Sequence, residues 1–188
     1  RYWLDAAGYA DSEGQVSSDL LRPHAYRYRD YVIRSLNADK PYDRFLHEQL
    51  AGDLMEAGDH ATRVELNIAT GFLSLGPKVL AEQDVVKMEM DIIDEQIDTI
   101  GRSLMGLTLG CARCHDHKFD PLSTRDYYAL AGVFKSTRTM ESFKTIARWN
   151  ENSIATTEQQ QSFDQHKQRI EAAQKTVEQT TSAANKQL

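Results

Sequence analysis

The strongest constraint on the fold is a long run of apolar residues at helical spacing, just before the two cysteines of the chain. Their intervals alternate between four and three residues: Val86, Met90, Ile93, Ile97, Ile100, Leu104 and Leu107. This spacing places the apolar side chains along one stripe of an α-helix, with charged residues elsewhere around it. The segment therefore predicts a long amphipathic helix that leads to Gly110-Cys111.

Helical spacing recurs on both sides of this segment. The predicted helices before it cover residues 25–36, a segment from Pro41 with a buried stripe of Phe45, Leu46, Leu50 and Leu54, and residues 63–75. After the cysteines, Ser123 to Asp126 resembles a capping box that starts another helix. Runs of strictly alternating polar and apolar residues are few. We therefore predict a mainly α fold, an irregular multi-helix domain around the cysteine turn.

The composition changes near Trp149. From Glu151 to Leu188 the chain contains no Gly, Pro or Cys, and its apolar residues include Phe163, Ile170 and Val177 at intervals of seven. One apolar position per heptad is a weak coiled-coil pattern, because a stable seam needs two. We predict a helical domain over residues 1–148 and a helical connector or tail over residues 149–188.

Charge and hydropathy exclude two classes of partner. The formal net charge is −6 at pH 7, so the chain has no basic footprint for nucleic acid. No stretch of eighteen apolar residues occurs, so no membrane span is expected in this segment. The chain begins at Arg1 without a Met, and we expect it to be part of a longer protein.

Both cysteines lie in the sequence Gly110-Cys111-Ala-Arg-Cys114-His115, a C-x-x-C-H motif. On a helical turn, this spacing lets two thiols form thioethers to a porphyrin while the adjacent imidazole reaches the iron. The motif predicts one covalently bound haem c, with Cys111 and Cys114 as attachment points and His115 as the first axial ligand. Electron transfer or haem-dependent redox chemistry outside the cytoplasm, for example in the periplasm, would follow.

Other chemistries remain open for the same residues. A C-x-x-C pair can be a redox-active dithiol, although that function usually has a β-α-β context. A structural zinc site could use Cys111, Cys114, His115 and either His117 or a distant His, but four ligands within seven residues close a tetrahedron only with strain. The alternative function is a non-catalytic helical interaction module with such a zinc or Cys/His cluster.

The remaining candidates are individually weaker. The sixth iron ligand could be Met140, His24 or His47, or the position could be open. His117 is expected to be a supporting or surface group, because it follows His115 too closely to reach the opposite face of the ring. Arginines around the motif could bind haem propionates: Arg102, Arg113 and Arg125. The carboxylates before it are expected to form the solvated side of their helix: Asp91, Asp94, Glu95 and Asp98.

The chain resembles the planctomycetal cytochrome c-like domain family from Arg1 to about Phe143. The blocks that carry the resemblance include Tyr2-Trp-Leu-Asp5, Tyr28-Arg-Asp-Tyr-Val-Ile33, Asn37-Ala-Asp-Lys-Pro-Tyr-Asp43, Gln49-Leu-Ala-Gly-Asp-Leu54 and, above all, Gly106-Leu-Thr-Leu-Gly-Cys-Ala-Arg-Cys-His-Asp-His-Lys-Phe-Asp-Pro121. The resemblance implies an exported haem protein, linked to polysaccharide breakdown. Its expected partners are a redox protein or other domains of the same longer chain.

Overall fold

A computed structural model describes residues 1–12, 21–144 and 146–185 of the chain. As predicted, these residues are mainly helical, with one small sheet. The helices are α1 (Tyr2–Ala6), α2 (Ala25–Asn37), α3 (Tyr42–Ala51), α4 (His60–Ala69), α5 (Val85–Ile100), α6 (Thr124–Lys135) and α7 (Thr157–Asn185), and the strands are β1 (Met140–Ser142) and β2 (Arg148–Trp149). The chain divides into two units, Arg1–Asn152 and Ser153–Leu188.

Helix α5 connects the three hydrophobic clusters of the first unit. Met88 and Ile92 contribute to one cluster, Ile93 and Ile97 to a second, and Ile100 packs against a third. The helix is therefore buried on more than one side, and the single stripe predicted from the sequence is incomplete. Its predicted first member, Val86, is 68% exposed.

The predicted continuous helix up to Leu107 is wrong at its C-terminal end. The α-helix stops at Ile100, a π-helical turn follows over Gly101–Met105, and Gly106 adopts a left-handed conformation with φ of 67°. The Leu107 N–H then donates to the Gly101 carbonyl at 3.0 Å. This close return is possible because Gly101 has no side chain, since a Cβ there would lie 2.7 Å from the Leu107 carbonyl oxygen.

The first cluster lies among the N-terminal helices. Its buried residues are Ala7, Tyr28, Tyr31, Val32, Phe45, Ala69 and Phe72. The predicted stripe of α3 is wrong in two positions, because Leu50 and Leu54 are exposed whereas Glu48 and Gln49 are buried. Polar atoms of the cluster explain this reversal, since the Tyr28 and Tyr31 hydroxyls donate to Gln49 at 2.5 Å and Glu48 at 2.9 Å.

The capping box predicted before α6 is confirmed, with Ser123 and Asp126 exchanging side-chain and backbone hydrogen bonds. After α6, strands β1 and β2 pair antiparallel with Met140 opposite Trp149, a hairpin that the sequence analysis did not predict. Met140 and Ala147 pack with Leu80, Met88 and Ile92 in the third cluster. The hairpin therefore completes the core of the first unit.

The second unit is the long helix α7. The predicted helical tail is confirmed from Thr157 to Asn185. Trp149, at the predicted start of the tail, lies in β2 instead, and residues 186–188 lie outside the described residues. The three heptad-spaced residues of this tail are exposed: Phe163, Ile170 and Val177. Among the residues that the structure describes, no helix is both long and apolar enough to cross a bilayer.

Candidate functional site

The C-x-x-C-H motif begins in a short 3-10 turn, Leu109–Arg113, between α5 and α6, and Cys114 and His115 follow this turn directly. Leu109 and Ala112 are buried in the second cluster, whereas Cys111 and Cys114 are exposed free thiols. In a 3-10 turn, residues three apart lie on the same side, so the buried pair and the thiol pair lie on different sides of the turn, about 120° apart. Leu109 and Ala112 thus anchor the turn in the core, and both thiols are exposed to solvent.

The neighbouring His115 is exposed and has one engaged ring nitrogen. Its Nδ1 lies 2.8 Å from the backbone carbonyl oxygen of Asp116, which can only accept a hydrogen bond. In the neutral ring, this contact places the proton on Nδ1 and leaves a lone pair on Nε2. In this tautomer, Nε2 is free to bind a metal ion.

His117, by contrast, uses both ring nitrogens to hold the loop. Its Nδ1 accepts from the backbone N–H groups of Phe119 at 3.3 Å and Asp120 at 2.9 Å, and its Nε2 lies 3.0 Å from the Thr108 Oγ1. Its side chain is 7% exposed. The expectation of a supporting group fits these contacts. Across the described residues, no group of three or more His, Cys, Asp and Glu side chains is arranged to hold a metal ion.

Arg113, between the two cysteines, contacts two carboxylates of α5. Its Nη2 lies 2.8 Å from the Asp91 Oδ1, and its Nη1 lies 3.1 Å from the Asp94 Oδ2. The Tyr127 hydroxyl donates to the other oxygen of Asp94 at 2.5 Å. Partial burial opposes the charge of the guanidinium, but the two carboxylates raise the pKa of Arg113 above its ordinary value.

These contacts correct the expectation that the acidic residues of α5 are only its solvated side. Asp91 and Asp94 bind Arg113, and Asp98 binds Arg102 at 2.9 Å. The sequence interpretation failed because a pattern of charges on one helix does not show which other segment covers it. Here the turn that carries the cysteines folds back against the acidic face.

Residues 1–139 match the PSCyt2 family, which is described as a protein of unknown function (DUF1549). The match covers 139 of the 188 residues. The chain belongs to the PSCyt2 family. No curated protein and no solved structure matches the chain. The PSCyt2 match includes the entire C-x-x-C-H turn and its contacts with α5 and α6.

The candidate sixth ligands lie in other parts of the structure. Met140 follows the PSCyt2 match directly and is 5% exposed in the third cluster, whereas the cysteine turn packs on the second. His24 precedes α2, and the exposed His47 of α3 has its Nδ1 2.8 Å from the Asp43 carbonyl oxygen. The identity of a sixth ligand therefore stays a prediction.

Sequence reasoning missed a buried ion pair in this PSCyt2 domain. The Lys78 ammonium contacts the Glu95 Oε2, and none of the Lys78 side chain is exposed. The Thr99 hydroxyl donates to the Glu95 Oε1 at 2.9 Å. Burial lowers the pKa of Lys78, and the adjacent carboxylate opposes this shift. A sequence signal did exist, since Lys78 is a lone charge in the otherwise apolar segment from Gly76 to Leu80.

Proposed function

We propose that this chain binds one haem c covalently through Cys111 and Cys114, with the His115 Nε2 as an iron ligand. In this proposal, the domain serves electron transfer or haem-dependent redox chemistry in an exported protein. A bound haem would supply a one-electron redox centre, and the surrounding chain would set its access and potential.

The observation that carries the proposal is the combination of two outward-facing thiols with an adjacent, tautomer-fixed imidazole. Attachment adds each S–H across a vinyl C=C bond: sulfur bonds to one vinyl carbon and the proton goes to the other. Both cysteines must therefore be reduced and accessible, as Cys111 and Cys114 are. An Nδ1 that donates to a carbonyl oxygen also orients the ring and strengthens Nε2 as a ligand.

The donor set fits haem better than zinc. A tetrahedral zinc site needs four converging ligands, and His117, the nearest candidate for the fourth, uses both nitrogens within its own loop. Thioether attachment instead uses the two thiols as covalent anchors and requires only one imidazole at the metal. The family resemblance further implies that the exported protein is linked to polysaccharide breakdown.

The first test is expression of the full chain with an export signal and the c-type haem maturation proteins. We expect a Soret band, and haem staining that stays with the protein on a denaturing gel. The double variant Cys111→Ala, Cys114→Ala should lose the stain, because no thioether can form. His115→Ala should alter the spectrum, whereas the control His166→Ala, a change in the exposed helix α7, should not.

Each contrary result has a defined meaning. A colourless protein, or colour that leaves on denaturation, contradicts covalent haem attachment. Stoichiometric zinc in the colourless protein would support the interaction module. A reversible Cys111–Cys114 disulfide without metal would instead support the redox dithiol.

A further inference from the structure

We propose that Arg113 is a positioning residue that ties the cysteine turn to α5 and thereby determines how Cys111, Cys114 and His115 are presented. This inference rests on the proposed haem attachment at the same turn. It assigns the Arg113 guanidinium to the protein scaffold, in place of the propionate contact expected from the sequence.

The Arg113 guanidinium binds two carboxylates of α5 at once. Asp91 and Asp94 are three residues apart and therefore lie on the same face of α5. The planar guanidinium reaches one oxygen of each, at 2.8 and 3.1 Å, while its side chain is 28% exposed. A rigid fork that binds two fixed acceptors restrains both the position and the rotation of the turn, which one point charge cannot do.

Helix α6 also contacts Arg113 and its partner Asp94. The Tyr128 hydroxyl donates to the backbone carbonyl of Arg113 at 3.2 Å, and the Tyr127 hydroxyl donates to Asp94. The two tyrosine rings pack edge to face with centroids 5.2 Å apart. Arg113 is thus the point at which α5, α6 and the cysteine turn are joined by polar contacts.

The Arg113 charge also balances two carboxylates. Lys87 also binds Asp91, at 2.7 Å, so Asp91 would keep a cationic partner without Arg113. Asp94 would keep the hydrogen bond from the Tyr127 hydroxyl but no cationic partner among the described residues, and its carboxylate lies close to Gly110, the residue before Cys111. Loss of the Arg113 charge would therefore loosen the turn and leave an excess negative charge beside it. A more negative surrounding stabilises an oxidised, more positive redox centre.

The test compares Arg113→Gln, Arg113→Lys and the control Arg169→Gln in the full chain. Arg169 is an exposed arginine of α7, so its variant makes the same charge change away from the residues considered for haem binding. Hydrogen exchange is measured first on the haem-free proteins, for the peptide that spans residues 107–118. Haem loading and the reduction potential are then measured after maturation.

We expect exchange in this peptide to be about tenfold faster in Arg113→Gln, with exchange in α2 unchanged, since only the turn loses its restraint. Arg113→Lys should be intermediate, and Arg169→Gln should match the unmodified protein. After maturation, Arg113→Gln should carry less haem per folded chain and show a lower reduction potential than Arg169→Gln.

Unchanged hydrogen exchange in the 107–118 peptide of Arg113→Gln would contradict the proposal that Arg113 holds the cysteine turn against α5. If the exchange rates differ as expected but the variants have equal haem loading and equal reduction potentials, Arg113 has no role in presenting the residues that bind haem. If the unmodified chain takes up no haem, the haem proposal fails, and the exchange comparison still decides whether Arg113 ties the turn to α5.

Discussion

At the scale of single residues, Glu48 illustrates how a charge is held inside the first cluster. Its carboxylate accepts from the Tyr31 hydroxyl at 2.9 Å and pairs with Arg44 at 2.7 Å and Lys40 at 2.5 Å. Burial opposes its ionisation, but the hydrogen bonds from Lys40, Arg44 and Tyr31 lower the pKa of Glu48 overall. The ionised form is therefore part of the folded structure.

We predict that Glu48→Gln lowers the free energy of unfolding at pH 7 by about 2 kcal/mol, since hydrogen bonds to a buried charge are lost. Because the folded pKa of Glu48 lies below its unfolded value, its stabilisation is complete above the unfolded pKa of about 4.3 and disappears as the pH falls through the folded pKa. Denaturant titrations between pH 7 and 3 should therefore show a smaller loss of stability on acidification in the variant.

The matched control is Glu65→Gln, which removes a carboxylate from an exposed pair with Arg34. Exposed ion pairs contribute about 0 to 1 kcal/mol, so this variant should remain close to the unmodified protein. Equal effects of the two substitutions would contradict the role assigned to Glu48.

At this scale, the sequence predicts the candidate ligands but not which polar side chains are buried. The residue type and spacing of Cys111, Cys114 and His115 could be recognised directly. Burial of Glu48 and Gln49 could not, because it depends on the Tyr31 and Tyr28 hydroxyls that α2 brings to α3 from another part of the chain. Apolar periodicity alone predicted that Leu50 and Leu54 would be buried instead.

At the scale of elements, the junction between α5 and the cysteine turn depends on close backbone packing. A Cβ at Gly101 would lie 2.6 Å from the Leu109 Cγ and 2.7 Å from the Leu107 carbonyl oxygen. The contact with the Leu107 carbonyl involves backbone, so a larger residue must displace the chain that leads to Cys111. The α-helix was predictable from its apolar spacing, but its end was not, because the spacing continues past the π-helical turn.

We predict that Gly101→Ala lowers the free energy of unfolding by about 2 kcal/mol through this overpacking. Gly132→Ala is the matched control, because Gly132 lies in α6 and a Cβ there meets nothing within 4 Å. An exposed Gly to Ala change within a helix should stabilise by about 0.5 to 1 kcal/mol. Opposite signs in denaturant unfolding would support the packing argument, and a neutral Gly101→Ala would refute it.

At the scale of the whole molecule, the folded core extends beyond the family match. The match ends at residue 139, yet Met140 and Ala147 are buried in the third cluster with Leu80, Met88 and Ile92. The three clusters draw on residues between Trp3 and Trp149. Sequence patterns indicated the order of most helices, but not these clusters, because each cluster combines side chains from distant segments.

We predict that deletion of residues 153–188 changes the Tm of the first unit by less than about 2 °C, since no cluster residue is removed. Deletion of residues 140–188 should lower the Tm by more than about 5 °C, because Met88 and Ile92 lose their covering side chains. Circular dichroism melts of both shortened chains make the comparison. Similar melting of the two would show that the hairpin contributes little to stability.

The outward position of the two thiols bears on the order in which the protein is assembled. Cys111 and Cys114 are exposed on a unit whose clusters are formed by its own side chains. Under the proposed haem attachment, a maturation enzyme would therefore find both thiols accessible on the folded unit, and attachment would not require the clusters to open.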